Sequence, residues 1–279
     1  MAGALLHIGL HKTGTTAFQQ WASHNADALQ ATNGIRFYEG MFGPYHYELG
    51  LLAVEPGRTI TGMVLQPQWP LSEWQENASR HVRAQAAPDD TTLLISSECL
   101  SLLRDEREVR RVQELLAPRQ LRVAVCLRSP ESWLESYRQQ HVRHHYLSEL
   151  RSSHVYVGPD TWLTDWDQML RVWRNVLGDE NVVTCDYDDS VARYGSSIPA
   201  VLTALGLDPD EMPPWQGFVA NVTPGHTGAF ARVAPTATER VRHAKGRLRQ
   251  IRQENPIGWP LQLVEATLRR TRLRLTTRR

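Results

Sequence analysis

Lys12 is one of only two lysines in a chain that carries twenty-nine arginines. It lies in Gly9-Leu10-His11-Lys12-Thr13-Gly14-Thr15-Thr16, while the other, Lys245, lies in a basic stretch where arginine would serve as well. Arginine offers a broad planar fork; lysine offers a mobile point charge with three donors. The lysine suits a site that holds one bridging oxygen of an anion while a bond to it breaks. Residues 4–9 form a short apolar run that predicts a strand. From Thr15 the spacing of Ala17, Phe18, Trp21 and Ala22 predicts a helix reaching about residue 25 or 28. A turn between a strand and a helix N-terminus presents free backbone N–H groups and the positive dipole end to an anion. Thr13, Thr15 and Thr16 add hydroxyls, and His11 supports the loop's shape. The pattern is not a Walker A loop, which has four residues between its glycines and a lysine after the second.

A second cluster is Arg128-Ser129-Pro130 with Ser136 two helical turns on. Arg128 ends an apolar run, 121–127, and Pro130 fits the first turn of the following helix. An arginine fork with a serine hydroxyl beside it grips a phosphate.

Together the two clusters resemble the sulfotransferases that use 3′-phosphoadenosine 5′-phosphosulfate (PAPS), and most closely bacterial members that begin Gly-Leu-His-Lys-Thr-Gly-Thr-Thr. Lys12-Thr13-Gly14-Thr15-Thr16 matches that family's 5′-phosphosulfate loop. Arg128, Pro130 and Ser136 match its 3′-phosphate motif in order and spacing. The resemblance spans roughly residues 4–205. Trp173, Gly178 and Tyr187 also follow the family's helix–glycine–strand segment. The late Lys-Gly-x-x-Gly-Asp-Trp loop of the plant and animal type is absent, and residues 221–226 are the candidate replacement. The resemblance implies a P-loop-like three-layer fold and in-line sulfonate transfer to a hydroxyl or, less readily, an amine, with release of 3′,5′-ADP and no required metal. Lys12, with Thr15 and Thr16, would stabilise charge on the bridging oxygen. Family members use either histidine or glutamate as proton acceptor. His46 in Pro44-Tyr45-His46-Tyr47 ranks first here, for a side chain that titrates near neutral pH. Glu98 and Glu39, each following a predicted strand, come next.

The elements that must position these groups alternate along the chain. Strands are predicted at 35–38, 91–96, 121–127 and 181–187, and helices at 72–86, from 130, and at 161–177. This alternation predicts an α/β fold with a parallel, doubly wound sheet, whose ligands bind at the strands' carboxyl ends. Lys12, Glu98 and Arg128 all fall at such ends. Residues 39–71 are rich in Gly, Pro and aromatics and read as an irregular insert. Residues 1–235 are expected to form one sulfotransferase-like domain and 236–279 a basic helical extension packed on it.

The net charge is +1 and the hydrophobic fraction 41%. Charge is uneven: from Thr236 onward there are 12 basic and 3 acidic residues, against 19 and 27 before it. Packing of the tail on the acidic body is the leading reading; a dimer contact, an anionic acceptor or a membrane surface are the others. No recognition motif accompanies the charge, so nucleic acid is not an expected partner. Cys99, Cys126 and Cys185 read as reduced thiols of a cytoplasmic protein. The acceptor is expected to be a small molecule, a glycan or a lipid. A P-loop-like kinase or hydrolase, or a non-catalytic nucleotide-binding protein, are the alternatives.

Overall fold

A computed structural model describes residues 3–56, 58, 60, 71–144 and 147–218. The basic segment 236–279, the stretch 221–226 and most of 57–70 lie outside the described residues. Among the described residues, five strands, β1 (Ala4–His7), β2 (Ile35–Phe37), β3 (Thr92–Ser96), β4 (Leu121–Leu127) and β5 (Val182–Asp186), form one sheet in the order β2-β3-β1-β4-β5. Every neighbouring pair is parallel. The fold is therefore α/β with a central parallel sheet between helical layers, as the alternation predicts.

The central strands β1, β3 and β4 are largely apolar on both faces because both are covered. Leu6, Leu93, Ile95, Val123 and Val125 point into one core, and Leu5, Leu94, Ala124 and Cys126 into the other. Helices α1 (Thr15–His24) and α2 (Ala26–Asn33) cover the second face. They share it with α9 (Ile198–Ala204), which follows β5 and the short α8 (Tyr187–Tyr194). The first face receives α3 (Tyr47–Ala53), α4 (Leu71–Ala86), α5 (Glu106–Leu116), α6 (Pro130–His144) and α7 (Trp166–Leu177). The chain thus leaves β1 toward one face and leaves β3 and β4, its two neighbours, toward the other. This divergence opens a crevice at the carboxyl end of β1.

Three elements depart from expectation. The insert is not irregular throughout, since it holds α3. Gly50 sits inside that helix because an added Cβ would meet Cys99 Cβ at 2.8 Å, so a residue that reads as a breaker marks a close approach. Helix α4 already includes Leu71, one residue before the predicted start at 72. The segment 161–177 is broken at Asp165, whose carboxylate accepts the Gln168 N–H at 2.8 Å and starts α7 there. Trp162 falls in a 3-10 turn before the break, with the guanidinium groups of Arg58 and Arg104 both over its ring.

The edge of the sheet away from the crevice is tied by Arg119. Its guanidinium donates to the carbonyls of Ala86, Ala87, Thr91 and Gly3 and to the Asp89 carboxylate. These groups come from the end of α4 and the starts of β3 and β1, and Arg119 itself leads into β4. Removing a buried charge partner that satisfies several acceptors is costly. Arg119→Leu is expected to lower unfolding stability by about 3 kcal/mol, read from urea denaturation. A loss below about 1 kcal/mol, the worth of an exposed ion pair, would show that Arg119 does not tie the edge.

Candidate functional site

After β1 the chain continues sheet-like for one residue, with Ile8 N–H on the Ala124 carbonyl, and then turns. The Leu10 carbonyl organises that turn. It accepts the Thr13 hydroxyl at 2.7 Å, the Thr15 hydroxyl at 3.0 Å and the Thr13 amide at 3.3 Å. Thr13 and Thr15 are buried, so their hydroxyl protons shape the loop rather than face a ligand. Thr16 is only part-buried and lines the cavity. Lys12 adopts a left-handed backbone (φ 65°) and Gly14 another (φ 78°). A Cβ on Gly14 would collide with Ser197 Oγ, and one on Gly9 with Thr15 Oγ1 and the His7 ring. Gly14 is the N-cap of α1 with no side-chain cap. The amides at the start of α1 therefore have no helical acceptors and stand beside the Lys12 turn.

Two tryptophans fix the strand ends around this loop. Trp133 Nε1–H donates to the His11 carbonyl, and Trp166 Nε1–H donates to the Arg128 carbonyl at 3.2 Å. The two indoles meet edge-to-face at 5.2 Å. Arg128 lies over the Tyr187 ring at 5.2 Å, with its Nε 3.3 Å from Asp188 Oδ1.

A cavity of about 460 Å³ lies between these pieces. Of the residues picked out from the sequence, His11, Lys12, Gly14, Thr15, Thr16, Glu98, Arg128 and Ser136 line it. Others were not anticipated. Ser132, Glu135, Gln139 and Gln140 share the face of α6 with Ser136, and helical spacing alone identifies them. Tyr187, named above only as part of the helix–glycine–strand segment, also lines the cavity, just past the carboxyl end of β5. Ser196, Ser197 and Phe218 come from tertiary packing and carry no local signal.

The three candidate proton acceptors separate. Glu98 begins the 3-10 turn Glu98–Leu102 after β3 and opens onto the cavity. Its Oε1 lies 3.6 Å from His11 Nε2 and 3.5 Å from the Tyr47 hydroxyl. Burial first, and the Glu98 charge second, push the Tyr47 and Tyr137 hydroxyls above the usual phenol range, so Tyr47 stays a donor to Glu98. Glu39 is exposed and away from the cavity lining, and its backbone carbonyl meets His81 Nε2. His46, first in the sequence ranking, is fully buried and also outside the cavity lining. Its Nδ1 accepts the Ser96 N–H at 3.0 Å. Burial lowers its pKa to about 3, only partly offset by the Tyr38 backbone. The lone pair that a base would use is thus already engaged in holding β3. Among the described residues, no group of three or more His, Cys, Asp or Glu is placed to hold a metal, and no helix is long and apolar enough to cross a membrane.

His7, at the end of β1, is likewise buried and held near pKa 3 by desolvation. Both histidines are neutral in the fold but take up a proton near pH 6.5 when unfolded. Each therefore gives stability that is complete above pH 6.5 and is lost as pH falls toward 3, by about 1.4 kcal/mol per pH unit. His46→Asn keeps an acceptor for Ser96 and a residue that tolerates the left-handed backbone there (φ 47°). Its stability deficit against wild type should shrink by about 1.4 kcal/mol per unit between pH 6 and 4, measured by urea unfolding. A deficit independent of pH would mean that His46 is not held neutral.

No protein-family model matches the chain, and no curated protein matches it. A solved sulfotransferase structure from Alicyclobacillus acidocaldarius is similar at 12% identity with a TM-score of 0.46, covering 92% of this chain and 96% of that one. That likeness is too loose to bear on chemistry.

Proposed function

We propose that the chain transfers a sulfonate group from PAPS to a hydroxyl-bearing acceptor, less readily an amine, and releases 3′,5′-ADP. One observation carries the reading. A lysine beside a helix N-terminus and an arginine–serine pair, which match two separate phosphate motifs in the sequence, line a single cavity. A donor with a 5′-phosphosulfate and a 3′-phosphate needs two anion grips in one pocket.

Each residue then has a role. The amides at the start of α1, the Thr16 hydroxyl and Lys12 hold the 5′-phosphosulfate. Arg128 and Ser136 hold the 3′-phosphate. The acceptor oxygen attacks sulfur, the bond from sulfur to the bridging oxygen breaks, and Lys12 stabilises the charge that collects on that oxygen. Glu98 takes the acceptor's proton, because it is the one candidate of the three that opens onto the cavity. Thr13 and Thr15 act through the loop's shape. The acceptor class we favour is a glycan, a glycolipid or a natural product.

The test is transfer of labelled sulfonate from PAPS to a panel of such acceptors. Lys12→Ala should lower kcat by about 10²–10³-fold. Glu98→Gln should lower kcat by about 10²–10⁴-fold while leaving 3′,5′-ADP affinity unchanged. Arg128→Ala should act mainly on donor affinity. Full activity in Lys12→Ala would remove that residue's role, and full activity in Glu98→Gln would remove the carboxylate's.

A further inference from the structure

Two thiols stand directly behind the Arg128 wall of the cavity. Strands β4 and β5 run parallel with Cys126 opposite Cys185 in the register. Both are free cysteines, Cys126 buried and Cys185 part-exposed. The two strands end one residue later, at Leu127 and Asp186, and the residues that leave them are Arg128 and Tyr187. Those two side chains do meet, with the guanidinium 5.2 Å from the ring centroid. Both also line the cavity. The cation–π pair therefore stands just beyond the end of the β4–β5 ladder, two positions on from the thiol pair.

We propose that Cys126 and Cys185 form a reversible disulfide that controls the Arg128 grip on the nucleotide, an inference that rests on the functional reading above for its ligand. Neighbouring strands lie about 4.8 Å apart, inside the Cα separation a disulfide spans. The thiols already interact: hydrogen bonding to Cys185 first, and burial second, push the Cys126 thiol well above its ordinary range. Cys126 is thus the protected, protonated partner and Cys185 the one that solvent reaches.

The oxidant is a small disulfide of the glutathione class. The Cys185 thiolate attacks one of its sulfurs and expels the first thiolate, which takes up a proton. Cys126 then attacks the Cys185 sulfur of the mixed disulfide. The second small thiolate leaves and takes up the proton Cys126 gives up. Two protein thiols are oxidised and one small disulfide is reduced to two thiols. Closing the bond draws the two Cβ atoms together and twists β4 against β5. Arg128 and Tyr187 leave the ends of these two strands, so their geometry shifts with it.

The experiment equilibrates the full chain with reduced or oxidised glutathione, maps disulfides by mass spectrometry and titrates 3′,5′-ADP by calorimetry in each state. A Cys126–Cys185 bond and weaker binding by about 5- to 150-fold, the usual span of coupling between two sites, are expected, with circular dichroism unchanged. Cys185→Ser should keep the reduced-state affinity under oxidised glutathione. Absence of the bond would overturn the proposal. So would a bond that leaves affinity unchanged, or loss of binding that accompanies unfolding. The disulfide map does not depend on which anion the cavity takes. If the reduced protein fails to bind 3′,5′-ADP, the nucleotide reading fails, and inorganic pyrophosphate titrated in the two redox states decides the thiol switch.

Discussion

The Leu10 carbonyl accepts three donors from Thr13 and Thr15, and the geometry of the candidate site follows from that knot. It lets a loop only a few residues long reverse direction between β1 and α1. The reversal forces Lys12 and Gly14 into left-handed backbone, which costs about 1–3 kcal/mol at a non-glycine residue. Such strain persists only where the surroundings over-determine it. Here they do: Trp133 holds the His11 carbonyl from one side and Ser197 occupies the space beside Gly14 from the other. The result is a lysine beside the first amides of α1, which have no acceptors within the helix, at the carboxyl end of the central strand.

The rest of the fold serves to bring a second cation to that end. The sheet order sets β4 directly beside β1, so residues leaving the two strands are neighbours although they are more than a hundred positions apart. The paired indoles of Trp133 and Trp166 tie both strand exits into one aromatic block, and Asp188 and Tyr187 steer Arg128 over the cavity. On the other side of β1, β3 delivers Glu98. Loop shape, cation and carboxylate thus arrive on three adjacent strands, β3, β1 and β4. A parallel sheet with crossovers to opposite faces supplies such an arrangement without a dedicated second domain.

Much of this was legible in the sequence. The apolar run to residue 9, the glycines around Lys12 and the Thr15 helix start describe a strand, a turn and a helix by local rules. Arg128, Pro130 and Ser136 follow from strand exit and helical spacing. Helix α5 was not among the predicted helices, although the apolar stripe of Val109, Val112, Leu115 and Leu116 behind an Asp105–Glu108 capping box carries its local signal. What local rules could not supply was the environment of the imidazoles and carboxylates. His46 is attractive by side-chain chemistry, yet the fold turns its ring inward to the Ser96 amide. Glu98 was legible as a residue at a strand's carboxyl end, but its place beside the Lys12 loop depends on the pairing of β3 with β1. The helix at Tyr47–Ala53 was hidden by Gly50, whose purpose lies in a contact with Cys99 from a distant strand end. Each of these depends on pairing across the sheet, to which a one-dimensional pattern is blind.

The central claim is that one cavity holds a nucleotide by phosphates at two ends. Calorimetric titration with 3′,5′-ADP, 5′-AMP and ATP, all in a chelator of divalent cations, tests it most directly. The account predicts that 3′,5′-ADP binds, that 5′-AMP binds at least about tenfold more weakly for lack of the group held by Arg128 and Ser136, and that ATP does not compete. Equal affinity for 3′,5′-ADP and 5′-AMP, or binding of ATP alone once magnesium is restored, would contradict it.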